Sequence, residues 1–207
     1  MSKSNKFTVG KFSRVIVKNI IVILVFTIIG GIGAGLYAKH KKQTFYYANS
    51  SILVNANLNR TDYKNSAVMA EKGMMKTYEK ITGNQETMRV AKKYLPHKIN
   101  KEYSTDQLFS VVNVNSDPDS LVLGINARTD KSEDSVKIAN AVAKAAQVQL
   151  PKYSPNNSHV QILTRANKEN VTSRTTPSTK KYAVLGAALG LLIGMILSFS
   201  VTTWKNM

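Results

Sequence analysis

The chain reads as an α+β extracytoplasmic domain, a small sheet with helices on one face, set between two transmembrane helices. Three observations predict this class. An uncharged apolar run lies near each end of the 207 residues. The region between them switches repeatedly from period-two to helical spacing. The order of those patterns is strand, helices, strands, helix, strand, which packs with helices gathered on one side of a sheet.

The second apolar run is the longer. Tyr182 to Val201 has no charge and no proline. As a helix its 20 residues reach about 30 Å, the thickness of a bilayer's hydrocarbon core. Lys180 and Lys181 precede it, and Trp204 and Lys205 follow, residue types that suit the headgroup layer. Gly186, Gly190 and Gly194 recur every fourth residue and share one face, where small residues let another helix approach. The first run, Ile20 to Ala38, carries a similar pair in Gly31 and Gly35. It follows a basic, acid-free start and exceeds the usual length of a signal-peptide core, so it is expected to be an uncleaved anchor. Gly31, Gly33 and Gly35 are no nucleotide loop, because they lie inside that span.

These runs divide the chain into a basic cytoplasmic N-terminus (1–19), a first span (20–38), a domain (39–166), an extended proline-containing lead (167–181), a second span (182–203) and a short tail (204–207). Two spans put both termini on one side. A long loop is translocated largely regardless of its charge, so the short basic N-terminus is expected inside and the domain outside. The formal net charge is +17, and residues 39–181 hold 23 of the 29 basic and all 12 acidic residues, a net +11. Such a surface attracts membrane lipid or an anionic polysaccharide; no nucleic-acid-binding motif accompanies it.

Within the domain, Phe45–Asn55 is aromatic and β-branched, and reads as a strand. Asn57–Asp62 is turn-like. Tyr63–Thr82 places Ala67, Met74, Met75, Tyr78 and Ile81 at helical spacing before Gly83, and Gln85–Leu95 does the same with Met88, Ala91 and Leu95 before Pro96. The methionines Met69, Met74 and Met75 are expected to form a core stripe. Ser104 and Gln107 form a capping box for a short helix carrying Leu108. Val111–Asn115 and Leu121–Arg128 alternate as strands around an Asp117–Ser120 turn. Asp130–Glu133 is a cap-like start for a helix to Leu150, with Ala139, Val142, Ala143 and Ala146 facing the core. Val160–Thr164 is a last strand. The first and last strands, each continuous with a span, are expected to lie side by side.

Catalytic patterns are missing from the sequence. It has no cysteine, which excludes thiol chemistry, disulfides and thiolate metal sites. His40, His97 and His159 are far apart and lack metal-binding spacing. Asp117 and Asp119 flank a proline, which favours a turn over a metal-holding DxD pair. No GxSxG elbow and no P-loop occurs. The expectation is a protein with no catalytic, cofactor-binding or metal-binding residues.

Several stretches, in order, resemble one family, the Wzz-like polysaccharide chain-length determinants, also called polysaccharide co-polymerases. They are YYANSSILV (46–54), KTYEKITGNQETMRVAKKYL (76–95), STDQLFSVVNVNSDPDSLVLGINARTDKSEDSVKIANAVA (104–143) and ILTRANKENVTSRTTPSTKK (162–181). In the last of these, Ala166, Pro177, Ser178, Lys180 and Lys181 resemble the family's alanine-to-proline lead, although Pro177 is the only proline there. The resemblance implies a non-enzymatic, oligomeric regulator of capsular or exopolysaccharide biosynthesis. Such a protein sets polymer length or export by scaffolding a polymerase, or as adaptor of a separate cytoplasmic tyrosine kinase. Trp204 and Lys205 would then be the kinase contact, though kinase adaptors of this family typically carry a longer tail than follows Trp204. The alternative, from the residues alone, is a tethered sensor for anionic cell-wall polymer.

Overall fold

The computed structural model describes residues 20–55, 63–117, 119–154 and 159–205. The expected turn at 57–62 and the basic segment 1–19 lie outside them. The chain forms two compact units, Met1–Gln43 with Thr175–Met207, and Thr44–Arg174. The first unit holds helices α1 (Ile20–His40) and α7 (Thr179–Lys205). Both are long and apolar enough to cross a membrane.

The second unit is an α+β domain with a small antiparallel sheet and helices on one face. Its elements are β1 (Gln43–Asn55), α2 (Lys64–Thr82), α3 (Gln85–Ala91), α4 (His97–Glu102), α5 (Thr105–Val111), β2 (Val112–Ser116), β3 (Val122–Thr129), α6 (Ser132–Gln149), β4 (His159–Thr164) and β5 (Thr172–Thr176). The strand order is β2-β3-β1-β4, and β5 also pairs with β1. The first strand therefore does lie beside the last ones. Strand β1 pairs antiparallel with β3 (Ala48 opposite Ala127, Ile52 opposite Leu123) and with β4 (Ile52 opposite Ile162, Val54 opposite Val160). Because side chains alternate along a strand, this register puts Ala48, Ile52, Val54, Val114, Leu123, Ile125, Ala127 and Val160 together on the covered face, all buried.

Helix α6 is the centre of that core. Among its side chains only Glu133, Lys137, Lys144 and Val148 are exposed, a strip one residue wide. Ile138, Ala139, Val142, Ala143, Ala145 and Ala146 are fully buried. Alanines let the sheet and the other helices approach this helix closely from both sides. Its start is pinned by Ser135, whose hydroxyl donates to the Tyr46 carbonyl at 2.9 Å and accepts from the Thr129 amide at 3.2 Å.

Several boundaries differ from the sequence reading. The helix expected over 85–95 ends at Ala91 and continues as a 3₁₀ turn, Lys92–Tyr94, while His97–Glu102 adds a short helix that the pattern did not announce. The cap of α6 is Lys131, with no side-chain hydrogen bond, so the Asp130 start is not used; Ser135 ties down that end instead. Within the extended 167–181 lead, Thr172–Thr176 pairs as β5, and α7 begins at Thr179, before the uncharged run. Met69 is 66% exposed, not part of a core stripe. It sits two positions after buried Ala67, roughly 200° around the helix and on the far side. Glu71 takes the core position instead, only 1% exposed, accepting from the Tyr78 hydroxyl at 2.7 Å and the Ser154 hydroxyl at 3.2 Å. The Ser104–Gln107 capping box is present as read, with both reciprocal bonds.

A second buried carboxylate stands at the start of α6. Asp134 is 6% exposed, and the Tyr103 hydroxyl reaches it at 3.4 Å. Lys131 lies 3.8 Å away and also pairs with Glu102. Burial outweighs the lysine and holds the Asp134 carboxyl above its usual range. Burial, helped by the Asp134 charge, pushes the Tyr103 phenol up to about 12. On the other side of the domain, Lys76 and then Ser116 hold the Glu79 carboxyl low, and Ser116 donates to it through both its hydroxyl (2.6 Å) and its amide (2.8 Å).

Two predictions follow from these contacts. Ala143→Leu should overpack α6 and destabilise the domain by about 1–3 kcal/mol, whereas Lys137→Leu on the exposed strip should stay within about 0.5 kcal/mol. Urea unfolding of the full chain in detergent, followed by far-ultraviolet circular dichroism, measures both; equal effects would show that α6 has room. The raised Asp134 pKa means that the folded state binds this proton more tightly than the unfolded chain. Stability from this group is therefore lost as pH rises from the ordinary aspartate range, about 4, toward neutrality. Asp134→Asn should flatten that decline, and an unchanged slope would refute the assignment.

Candidate functional site

In the terminal unit, the geometry is that of an antiparallel helix pair in backbone contact. A Cβ placed on Gly186 would fall on the Gly30 carbonyl oxygen and the Ala34 methyl, and one on Gly190 would fall on the Phe26 carbonyl oxygen. One on Gly194 would stand 2.9 Å from the Ile23 Cα. These obstacles are mostly backbone, so a side chain there is accommodated only by moving the helices apart. Glycine at these positions is therefore a requirement of the approach.

Of the glycines on α1, Gly30 makes the closest approach, one position before the Gly31 that the pattern singled out with Gly35. A Cβ placed on Gly31 or Gly35 would meet the Ala187 and Ala183 methyl carbons at 3.4 and 3.5 Å, an ordinary contact, and the two glycines line an open apolar groove with Thr179. The missed signal was Gly30 with Ala34, itself a small-xxx-small pair about 100° around the helix from Gly31 and Gly35. Two hydroxyls in these helices bond back to their own backbone: Thr27 to the Ile23 carbonyl at 2.8 Å and Ser200 to the Ile196 carbonyl at 2.9 Å. Such bonds satisfy polar atoms where water is scarce.

The alanine-to-proline segment is held at its first residue. Asn140 on α6 donates its amide to the Ala166 carbonyl and accepts from the Ala166 amide, both at 2.9 Å. One side chain thus satisfies both backbone groups of a buried residue. Pro177 follows a cis peptide bond. Ser178 accepts through its carbonyl from the Tyr182 amide at 3.1 Å, and Lys180 and Lys181 stand in the first turn of α7. Trp204 is 87% exposed near the end of the same helix, next to Lys205.

The remaining polar residues do not converge. Asp117 accepts the Asp119 amide at 3.1 Å through its carboxylate and the Ser120 amide at 3.1 Å through its carbonyl. That is a turn held by its own aspartate. His40 ends α1, His97 opens α4 and His159 opens β4, each exposed. Among the described residues no cluster of three or more His, Asp or Glu side chains is placed to hold a metal.

No protein-family model matches the chain. It is similar to curated proteins over nearly its whole length. The capsular polysaccharide type 8 biosynthesis protein cap8A of Staphylococcus aureus is 26% identical over 194 residues, covering 91% of this chain and 82% of that protein. The capsular polysaccharide type 5 biosynthesis protein cap5A of the Newman strain has the same identity and coverage. The capsular polysaccharide biosynthesis protein CapA of strain COL is 23% identical, over 94% of this chain and 85% of its own length. The likeness therefore takes in more than nine-tenths of the chain, and each of these relatives is a capsular polysaccharide biosynthesis protein.

Proposed function

We propose that this protein is a non-enzymatic membrane scaffold in the biosynthesis of a capsular or related surface polysaccharide. It modulates the length or export of the polymer, with both termini in the cytoplasm and residues 39–181 outside. The observation that carries the reading is the similarity to capsule biosynthesis proteins over 91% of the chain. The glycine-packed helix pair supports a scaffold role, because backbone contact makes a stiff anchor rather than two independent tethers. The partners proposed are further copies of the chain, a polysaccharide polymerase, and a cytoplasmic tyrosine kinase reached through the exposed Trp204 and its neighbour Lys205.

Two measurements test this. Single cysteines replacing Asn100 and Ser4 are treated in intact cells with an impermeant thiol reagent. Position 100 should label and position 4 should not; the reverse overturns the topology. Separately, Gly190→Leu should leave membrane insertion and protein abundance unchanged, because leucine is as apolar as the span requires, but should shift the polysaccharide size distribution. An unchanged distribution, matched by an unchanged distribution in the deletion strain, would remove the scaffold reading altogether.

A further inference from the structure

The uncovered face of the sheet has a chemistry that the scaffold reading does not use. The register aligns its outward residues in rows across the strands. Asn113 of β2 stands opposite Asn126 of β3, which stands opposite Asn49 of β1. The Asn126 side-chain Nδ2 donates to the Asn49 Oδ1 at 2.5 Å. Three amides in a row across adjacent strands span about 10 Å. Beside them Asn115 lies across Gly124, where a Cβ would come within 2.7 Å of the asparagine oxygen, so the absence of a side chain at 124 lets that amide lie flat. Gln161 of β4 faces outward and is exposed.

The adjoining row is cationic. Arg128 of β3 is opposite Tyr47 of β1 and lays its guanidinium over the Phe45 ring, 4.0 Å from the centroid. Arg174 of β5 sits over Tyr47 at 5.7 Å. Both arginines are exposed, and neither has a carboxylate partner among the described residues. The rings hold the two guanidinium planes in place without neutralising them. None of the five strands contains an aspartate or glutamate. The face therefore offers two positioned cations and a row of amides, with no acidic residue in any of its strands.

We propose that this face binds an acidic polysaccharide chain. Arg128 and Arg174 take sugar carboxylates, and the Asn113–Asn126–Asn49 row takes sugar hydroxyls. Planar guanidinium groups match carboxylates in a two-point fork. Side-chain amides carry donors and an acceptor on one plane, which suits vicinal hydroxyls, and the Asn126–Asn49 bond uses one donor and one lone pair, leaving three donors and acceptor sites on both oxygens. Charge complementarity selects an anionic chain over a neutral one, and the flat, open shape suits a polymer rather than a small molecule. The identity of the polymer as a surface polysaccharide rests on the function proposed above; the face's chemistry does not.

The test uses the purified full chain in detergent, with a galacturonic acid oligomer and a neutral dextran oligomer as probes, and binding read by calorimetry. The uronic acid oligomer should bind, and dextran should bind at least about ten-fold more weakly. Arg128→Gln with Arg174→Gln should weaken uronate binding by about ten-fold or more, while Lys98→Gln with Lys101→Gln, an equal loss of charge on α4, should change it by about two-fold or less. Asn126→Ala should weaken binding with its salt dependence unchanged. Circular dichroism confirms that each variant is folded. Absence of binding by the parent, or equal losses in the arginine and lysine pairs, overturns the proposal. So does a change of oligomeric state without a change in binding, which would make the face a contact between copies of the chain. Calorimetry with the paired variants reports on this face, and polymer length in cells reports on the scaffold role, so the two failures are separable.

Discussion

The domain depends on one helix being buried on nearly every side. Helix α6 is sandwiched between the sheet and the other helices, and it is alanine that makes this possible. A helix of larger apolar residues would hold those layers apart, and the gain in apolar area would be lost to poorer packing. Two further ties use the same helix as a post. Ser135 fixes its start to β1 and β3, and Asn140 holds Ala166, the residue at which the chain leaves β4 for β5. Core packing and chain path are thus set from a single element.

The terminal unit reaches close packing by a different route. In the domain, burial of apolar surface drives contact, and alanine permits it. In a pair of apolar helices surrounded by lipid there is little such drive, and dispersion between backbones takes over. That is why glycine replaces alanine where Gly186, Gly190 and Gly30 meet. The two halves of the chain use small residues for opposite reasons, one to admit neighbours into a hydrophobic core and one to gain contact where hydrophobicity no longer discriminates.

Much of this was legible in the sequence. The strands around Ile52 and Leu123, the helix around Val142 and the capping box at Ser104 all follow from periodicity and local hydrogen bonding, which act over a few residues. What escaped depends on contacts distant in sequence. Met69 points outward and Glu71 inward because only the assembled core decides which face of α2 is covered, and Tyr78 and Ser154 supply Glu71 with its hydrogen bonds. The strand hidden in the polar stretch at 172–176 forms because β1 offers it an edge, not because Thr-Ser-Arg-Thr-Thr announces one. Gly30 was passed over since two overlapping small-residue pairs run along α1, and the sequence does not say which of them turns inward. The row of asparagines was invisible for the same reason, since it exists only in the cross-strand register.

The four-residue repeat of glycines on α7 has a further consequence for register. With Gly186 on Gly30 and Gly190 on Phe26, sliding α7 by one repeat, about 6 Å, would lay Gly190 on Gly30 and Gly186 on Ala34, small residues again. The glycines therefore set how near the helices come but not where along each other they stop. That limit falls to the ends. A slide in one direction draws Lys180 and Lys181 into the apolar layer, and a slide in the other draws in Trp204 and Lys205. Spacing in this helix pair is thus a property of its middle, and register a property of its ends.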